Sequence, residues 1–311
     1  MPPDSEGDPV PPLIHRMAPV LVTQCGRVAC TPRAALAFLS AAAALATLVL
    51  CTRGAPRRLV QSHDRPAHAE GPPAWTGKLD AALKDTLRSA AAALAGTVAP
   101  SPTCNVSMFG TNWGGHSLCD RPPPFTCVFY SFGISHDFSF DEDLARRWRC
   151  RGFAADPTVT HSSQLADNVT FHKVAATTLG GGTPFPLTTS MPALRRWLGH
   201  PRVAALKMDC EGCEYALPRD VALEDPGFFD RVDQFAVEFH VSRRWVDSEE
   251  AVYALARLHQ QLRTAGLVLQ SALVGGCAAE NEAAGCHELL VEAGIPCGPG
   301  KCCHNCLFAR P

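Results

Sequence analysis

The chain has 311 residues, of which 46% are hydrophobic, and a formal net charge of −2. This length and hydrophobic fraction are sufficient for one or two domains with a buried core. Because there is no excess of basic residues, a nucleic acid is not expected as a partner.

The first hundred residues divide into a tail, an apolar segment and a linker. Residues 1–33 are rich in proline and are predicted to be disordered. Residues 34–51 hold the longest apolar stretch, with arginines on both sides, and are expected to form a transmembrane signal anchor. A cleaved signal peptide and a soluble alanine-rich helix are the alternatives. Residues 52–103 are predicted to form a linker and a helix, with Thr76 as N-cap and Gly96 as the end, which is either a stalk or packed on the body.

Two further features indicate where the body of the protein lies. Asn105 and Asn168 begin N-glycosylation sequons. Of the 15 cysteines, twelve lie after residue 100, an even number that suits disulfides in an oxidising compartment. Together they favour a single-pass membrane protein whose body lies in the secretory-pathway lumen, the Golgi or endoplasmic reticulum, or outside the cell.

From residue 104 to the C-terminus, short apolar runs alternate with helical patterns. The predicted strands are 127–134, 150–156, 168–176, 203–209, 232–241, 267–275 and 287–293. The predicted helices are 139–148, a helix between a Ser190 cap and Gly199, and a helix from Asp247 and Glu250 to about Ala265. This alternation predicts an α/β fold with a mostly parallel sheet and helices on both faces.

Polar residues follow several of these strands at their carboxyl ends. In open α/β sheets, ligands bind outside that edge, so the polar residues are expected to line a site. They are Ser131, Gly133, Ser135 and Asp137 after the first strand, Asp156 after the second, Asp209, Glu211 and Glu214 after the fourth, and Glu238, His240, Arg243 and Arg244 at the fifth.

Four segments carry a resemblance to a known family: VFYSFGISHDFSFDEDLA, FAADPT, ALKMDCEGCEYALP and FAVEFH. Residues 104–311 resemble the methyltransferase-like protein 24 group and, more widely, the FkbM-type methyltransferases. The resemblance implies a Rossmann-like S-adenosylmethionine-dependent methyltransferase domain that ends with an antiparallel strand, for which residues 287–293 are the candidate. It also implies a donor site more directly than any particular acceptor.

The residues in these segments suit such a donor. Gly133 would let the backbone approach the donor, and Asp156 would accept the ribose hydroxyls. The expected donor-binding residues are Ser131, Phe132, Gly133, Ser135, Asp137, Asp156 and Asp209. Methyl transfer requires alignment of the nucleophile, with a base if the acceptor is a hydroxyl or an amine. Asp209, Glu211 and His240 are the candidate catalytic residues.

No metal is assigned to the site from the sequence, although hard ligands are present for Mg²⁺ or Ca²⁺. These are Asp209, Glu211, Glu214, Glu238 and His240. A glycosyltransferase that uses Asp209 and Glu211 with a metal is the rival enzyme, and a catalytically inactive α/β binding module is the third hypothesis. A small molecule, a glycan and a peptide all remain open as the acceptor.

The cysteines offer two places for special chemistry. Cys210 and Cys213 have the spacing of a redox pair, but we favour small buried side chains there. The dense C-terminal segment 297–306 suits either zinc or disulfides, and an oxidising compartment favours disulfides to Cys277, Cys286 or within the segment.

Overall fold

The computed structural model describes residues 79–95, 102–111, 114–162, 164–166, 168–176 and 187–311. The predicted tail, anchor and linker up to residue 78, including Thr76, lie outside these residues, as does Gly96. None of the described helices combines the length and the apolar character needed to cross a membrane.

Ten strands and seven helices make up the described part of the chain. The strands are β1 (Val106–Phe109), β2 (His116–Cys119), β3 (Val128–Phe132), β4 (Arg151–Ala155), β5 (Gln164–Ala166), β6 (Val169–His172), β7 (Ala205–Met208), β8 (Gln234–His240), β9 (Val268–Gly275) and β10 (Cys303–Ala309). The helices are α1 (Ala81–Leu94), α2 (Ser139–Trp148), α3 (Met191–Leu198), α4 (Leu217–Glu224), α5 (Glu249–Thr264), α6 (Ala279–Ala283) and α7 (Glu288–Ala293).

The main sheet has eight strands in the order β5-β6-β4-β3-β7-β8-β10-β9. Strands β6, β4, β3, β7 and β8 are parallel, whereas β10 runs antiparallel to both of its neighbours and β5 runs antiparallel to β6. The five parallel strands therefore follow a 3-2-1-4-5 order, and the strand order reverses between β3 and β7. The predicted mostly parallel α/β sheet is confirmed.

Helices cover both faces of this sheet. On one face, α1, α3, α4, α5 and α7 bury mainly aliphatic and phenylalanine side chains against the strands. On the other face, α2 and the β1–β2 hairpin bury a cluster that includes Phe109, Phe140 and Trp148. The hairpin is closed by a disulfide between Cys104 and Cys119, and it was not among the predicted elements.

Helix α1 packs on the body rather than standing away from it. Asp80 caps its N-terminus by accepting a hydrogen bond from the Leu83 amide at 2.8 Å. Leu83, Leu87 and Leu94 are at most 3% exposed and belong to the same cluster as the α5 side chains. Of the two arrangements open for this helix, the packed one is present, because its leucine stripe is buried by the domain.

The prediction of a final strand at residues 287–293 is wrong. These residues form α7, which Gly294 terminates in the left-handed conformation at φ 82°. Glutamate, leucine and alanine favour a helix there, and Leu290 alone is fully buried. The antiparallel strand is β10, within the cysteine-rich tail.

The other predicted elements are present with shifted ends. Strand β6 ends at His172, whereas the prediction continued to Ala176. The Ser190 cap and the Gly199 end of α3 are confirmed. Helix α5 is capped by Ser248 instead of Asp247, because the Ser248 hydroxyl accepts the Ala251 amide.

Candidate functional site

The loops after β3 and β7 meet at the point where the strand order reverses. Gly133 has φ 75°, and a Cβ atom added to it would lie 1.6 Å from the carbonyl oxygen of Asp209. The Lys207 ammonium donates to the Gly133 carbonyl at 2.6 Å, and the Asp209 amide donates to the Phe132 carbonyl at 3.0 Å. Only glycine can therefore stand at position 133, and the loop that it begins is fixed directly against Asp209.

Asp209 lies among groups from three strands. Its Oδ2 atom is 3.4 Å from His116 Nε2 and 3.8 Å from Lys207 Nζ, and its Oδ1 atom is 3.8 Å from His240 Nε2. Burial by itself would raise the pKa of Asp209, but the Lys207 ammonium and the hydrogen bond with His116 bring it well below its usual range. Asp209 is therefore an ionised carboxylate at neutral pH.

Glu238 stands beside this carboxylate on the neighbouring strand. Burial and the charge of Asp209 raise the pKa of Glu238 to about 8. Its Oε1 atom accepts a hydrogen bond from the Asn305 amide group on β10 at 3.3 Å. The two carboxyl groups differ strongly in acidity, so one can hold a proton while the other is ionised.

Glu214 contacts both the backbone amide and the ring of His240. The Glu214 Oε1 atom accepts the backbone amide of His240 at 3.0 Å and lies 3.2 Å from its ring Nδ1. Burial would lower the pKa of His240, but the Glu214 carboxylate raises it to about 9. The other Glu214 oxygen accepts the Gly212 amide at 2.9 Å, so this buried carboxylate also shapes the loop after β7.

Asp156 lies at the end of β4, where a ribose-binding acid is expected. Its Oδ2 atom accepts the Ser135 amide at 2.8 Å, and its Oδ1 atom accepts the amide and hydroxyl of Thr158 at 2.7 and 2.6 Å. The carboxylate therefore ties the loop after β3, in which Ser135 has φ 47°, to the loop after β4. Contact with a ribose remains a prediction.

Asp137 organises the start of α2. Its two carboxylate oxygens accept the Ser139 amide at 3.0 Å and the Gly114 amide at 3.2 Å. Although burial acts in the opposite direction, the hydrogen bonds from Ser139 and Gly114 lower the pKa of Asp137. Its contact with the methionine end of a donor likewise stays a prediction.

The remaining predicted site residues are either buried in the strands or exposed in loops. Phe132 is 1% exposed and packs in the apolar core, and Ser131 is fully buried on the opposite side of the same strand. Glu211 is exposed with φ 51°, whereas Glu214 is buried. Arg243 pairs with Glu288 on α7. The structure brings together Asp209, Glu214, Glu238 and His240 from the candidate ligand set, but not Glu211.

Three buried polar side chains of this cluster were not among the predicted site residues. His116 is 2% exposed and contacts Asp209, and burial lowers its pKa, so its neutral ring is placed to donate to that carboxylate. Asp141 on α2 is 1% exposed, and burial raises its pKa to about 6 despite the Lys207 charge. Lys207 is 1% exposed within the apolar strand β7. A lysine inside a four-residue buried strand is the one signal that the sequence offered for this cluster.

Most cysteines after residue 100 are paired. The unambiguous pairs are Cys104–Cys119, Cys127–Cys150, Cys210–Cys213 and Cys286–Cys297. Cys277 lies within bonding reach of both Cys302 and Cys303, and Cys306 is a buried thiol. The favoured disulfides of the C-terminal segment are confirmed, whereas the preference for unpaired small side chains at Cys210 and Cys213 is wrong. His304 faces the carbonyls of Pro296 and Lys301.

Comparisons with known proteins give matches among solved structures. No protein-family model matches the sequence, and no curated protein matches it. A geranyl diphosphate methyltransferase in complex with GPP and sinefungin is 13% identical over 62% of this chain and 76% of its own, with a TM-score of 0.31. The plantazolicin methyltransferase BpumL in complex with SAH is 9% identical over 60% and 76%, with a TM-score of 0.28.

A third solved structure, the methyltransferase CalO6, is 11% identical over 59% of this chain, with a TM-score of 0.26. The matched part is 57% of the CalO6 chain, so the similarity spans little more than half of that protein. These neighbours are methyltransferases, but at such TM-scores the similarity assigns no function by itself.

Proposed function

We propose that the chain is an S-adenosylmethionine-dependent methyltransferase. The observation that carries this proposal is the junction of two loops at the reversal of strand order, where Gly133 packs on the Asp209 carbonyl. Open α/β sheets bind their ligands at this point. The two segments that meet there, SFGIS and KMDCEG, are also those that resemble the FkbM-type methyltransferases.

The proposed donor lies across the loops after β3 and β4. Gly133 and Ser135 line its path, Asp156 faces the ribose and Asp137 faces the methionine end. Asp156 already holds these loops through the Ser135 and Thr158 amides, so the site is preorganised on this side. The excess of carboxylates beyond β7 and β8 suits a donor that carries a positive sulfonium.

Methyl transfer makes modest demands on the protein. The acceptor's lone pair forms a bond to the methyl carbon while the carbon–sulfur bond electrons return to sulfur, which leaves S-adenosylhomocysteine. The acceptor proton needs a base. Asp209 is ionised, but its lowered pKa makes it a weak base, so it would take the proton only as methyl transfer makes the acceptor acidic. His240, whose pKa is raised to about 9, serves as a cation at neutral pH rather than as that base.

The proposal extends to the place where the enzyme works. We infer a body in the lumen of the secretory pathway or outside the cell, attached through residues 34–51. The disulfides and the exposed side chains of Asn105 and Asn168 support this location. The acceptor is a polar molecule such as a sugar, a metabolite or a peptide.

Calorimetric titration of the oxidised full chain with S-adenosylmethionine and S-adenosylhomocysteine tests the proposal. We expect saturable binding that is weakened at least about tenfold in Asp156→Ala, since a buried donor hydroxyl loses its acceptor. Glu292→Gln, an exposed change on α7, is the control and leaves binding unchanged. Absence of binding by folded protein, with binding of a nucleotide sugar in the presence of Mn²⁺, would replace the proposal by the glycosyltransferase.

A further inference from the structure

A group of three potential metal ligands lies where β8 and β10 pair. Cys303 stands opposite His240 in the antiparallel register. One ligand atom each from Glu238, His240 and Cys303 lies within 4.8 Å of the other two, and His240 and Cys303 are buried. Carboxylate oxygen, imidazole nitrogen and thiolate sulfur are the three donors that zinc accepts in proteins.

His240 is oriented as a metal-binding histidine is. Glu214, which is 1% exposed, takes the Nδ1 side of the ring at 3.2 Å. The Nε2 atom is thereby turned towards Asp209 Oδ1 at 3.8 Å and Glu238 Oε2 at 4.0 Å. A carboxylate behind a ligating histidine fixes the tautomer and makes the outer nitrogen more basic.

Carboxyl groups face His240 from neighbouring elements. The carboxyl groups of Asp209, Glu214 and Glu238 surround it, and Lys207 stands 3.8 Å from Asp209. Among the described residues, no other lysine or arginine forms an ion pair with these three groups. A metal ion that binds here displaces the protons that these groups hold without it, so metal uptake releases protons.

Cys303 is available as a thiol in one of two pairings. Cys277 has Cα distances of 5.7 Å to Cys302 and 5.8 Å to Cys303, but its sulfur can form only one disulfide. When Cys277 is bonded to Cys302, the Cys303 thiol is left beside Glu238 and His240. Cys303 is then free to take part in the site, and Cys306 is the other unpaired thiol.

We propose that Glu238, His240 and Cys303 bind a zinc ion while Cys277 and Cys302 form a disulfide. The metal takes the place of the protons on the Cys303 sulfur and His240 Nε2. Three protein ligands leave the fourth position open towards Asp209, as in catalytic zinc sites. If the proposed methyl transfer holds, this position would receive the acceptor's oxygen or sulfur and the metal would lower its pKa.

The test uses the oxidised full chain after removal of metal with a chelator. We expect Zn²⁺ to bind in competition with a chromophoric chelator, and Co²⁺ to give a thiolate charge-transfer absorption. Cys303→Ser removes that absorption, whereas Cys306→Ser, a change at the buried thiol on the same strand, keeps it. Glu214→Gln weakens Zn²⁺ binding by about 10–100-fold because His240 loses its orienting partner.

A second variant separates this site from a cluster of three cysteines. Cys277→Ser leaves Cys303 as a thiol and so preserves Co²⁺ absorption if the proposal is right. Loss of the Co²⁺ absorption in Cys277→Ser would indicate that Cys277, Cys302 and Cys303 bind the metal, and would overturn the proposal. Failure of the folded parent chain to bind either metal would overturn it as well.

Donor calorimetry on the same samples keeps the two proposals apart. Zn²⁺ binding without S-adenosylmethionine binding leaves the metal centre standing and removes the methyl transfer. S-adenosylmethionine binding by a chain that binds no metal supports the methyltransferase and removes the metal centre.

Discussion

The two faces of the main sheet are made by the same strands but bury different chemistry. On the face covered by α1, α4 and α5, the strands present Tyr130, Leu206, Met208, Val237 and Phe239. The residues between them on the chain point to the other face, where α2 and the hairpin lie. These are Ser131, Lys207 and Glu238, with Asn305 opposite Glu238 on β10.

Strand periodicity is therefore sufficient to separate stability from chemistry in this fold. Because successive side chains alternate between faces, the first face can be wholly apolar while the second holds polar groups beside its own apolar cluster. The charged groups Lys207, Asp209, Glu238 and His240 tolerate burial because they are paired with one another. The following predictions test this division, beginning with the largest expected effect.

Replacing Lys207 by methionine should disrupt the polar face most. The variant leaves Asp141 and Asp209 without the cation that faces them, so we expect a loss of about 3–5 kcal/mol in the free energy of unfolding. Urea denaturation at pH 7 measures it. Lys301→Met, at an exposed lysine, is the matched control and should change stability little. An equal loss of stability in the two variants would contradict the prediction that Lys207 balances the charges of Asp141 and Asp209.

On the apolar face, Leu87→Ala in α1 should cost about 2–5 kcal/mol, because Leu87 is 2% exposed and leaves a cavity. The loss should not depend on pH, in contrast to the polar face. Arg88→Ala, on the exposed side of the same helix, is the control. A negligible effect of Leu87→Ala would mean that α1 is not part of the folded unit.

The pH dependence of the free energy of unfolding should come from the polar face, mainly from Glu238. A carboxyl whose pKa rises to about 8 on folding contributes stability below the pKa of the unfolded chain and loses it as the pH rises towards 8. We expect Glu238→Gln to remove a decline of up to about 1.4 kcal/mol per pH unit in that range. Denaturation curves at pH 5 and pH 8 measure the difference, and parallel slopes in parent and variant would contradict it.

Ser131→Ala should have the smallest effect on folding. Among the described residues, the buried Ser131 hydroxyl makes at most a weak hydrogen bond, to the Asp141 carboxyl, so its removal should change the free energy of unfolding by no more than about 1 kcal/mol. If the hydroxyl instead contacts a donor, its loss weakens S-adenosylmethionine binding without weakening the fold. Thermal melts and calorimetry on the same variant separate the two roles.

Much of the sheet could be predicted because its strands are short apolar runs bounded by turn residues. The final strand could not be predicted, because the residues CHNCLFA of β10 resemble a cysteine-rich tail. The apolar run within ELLVEA is too short for its periodicity to separate helix from strand. Pairing with β8 and β9 makes the tail a strand, and this pairing is a long-range effect.

The site was predictable to the extent that it follows parallel strands. Asp209 and His240 come directly at strand ends, and the sheet brings their side chains together. His116 arrives from a hairpin almost a hundred residues earlier, and nothing local to it indicates Asp209 as its neighbour. Glu211 follows the same strand as Asp209, but a left-handed backbone leaves its side chain exposed, so its catalytic role stays a prediction.

The disulfide between Cys104 and Cys119 has a consequence for when the site can exist. It closes the base of the hairpin that carries His116, and Asp120, just beyond it, pairs with Arg147 on α2. In a newly made chain whose thiols are still reduced, the hairpin lacks this clasp and Asp209 lacks a secured imidazole partner. Under the proposed lumenal location, oxidation of this pair would fix the hairpin, and with it His116, beside Asp209.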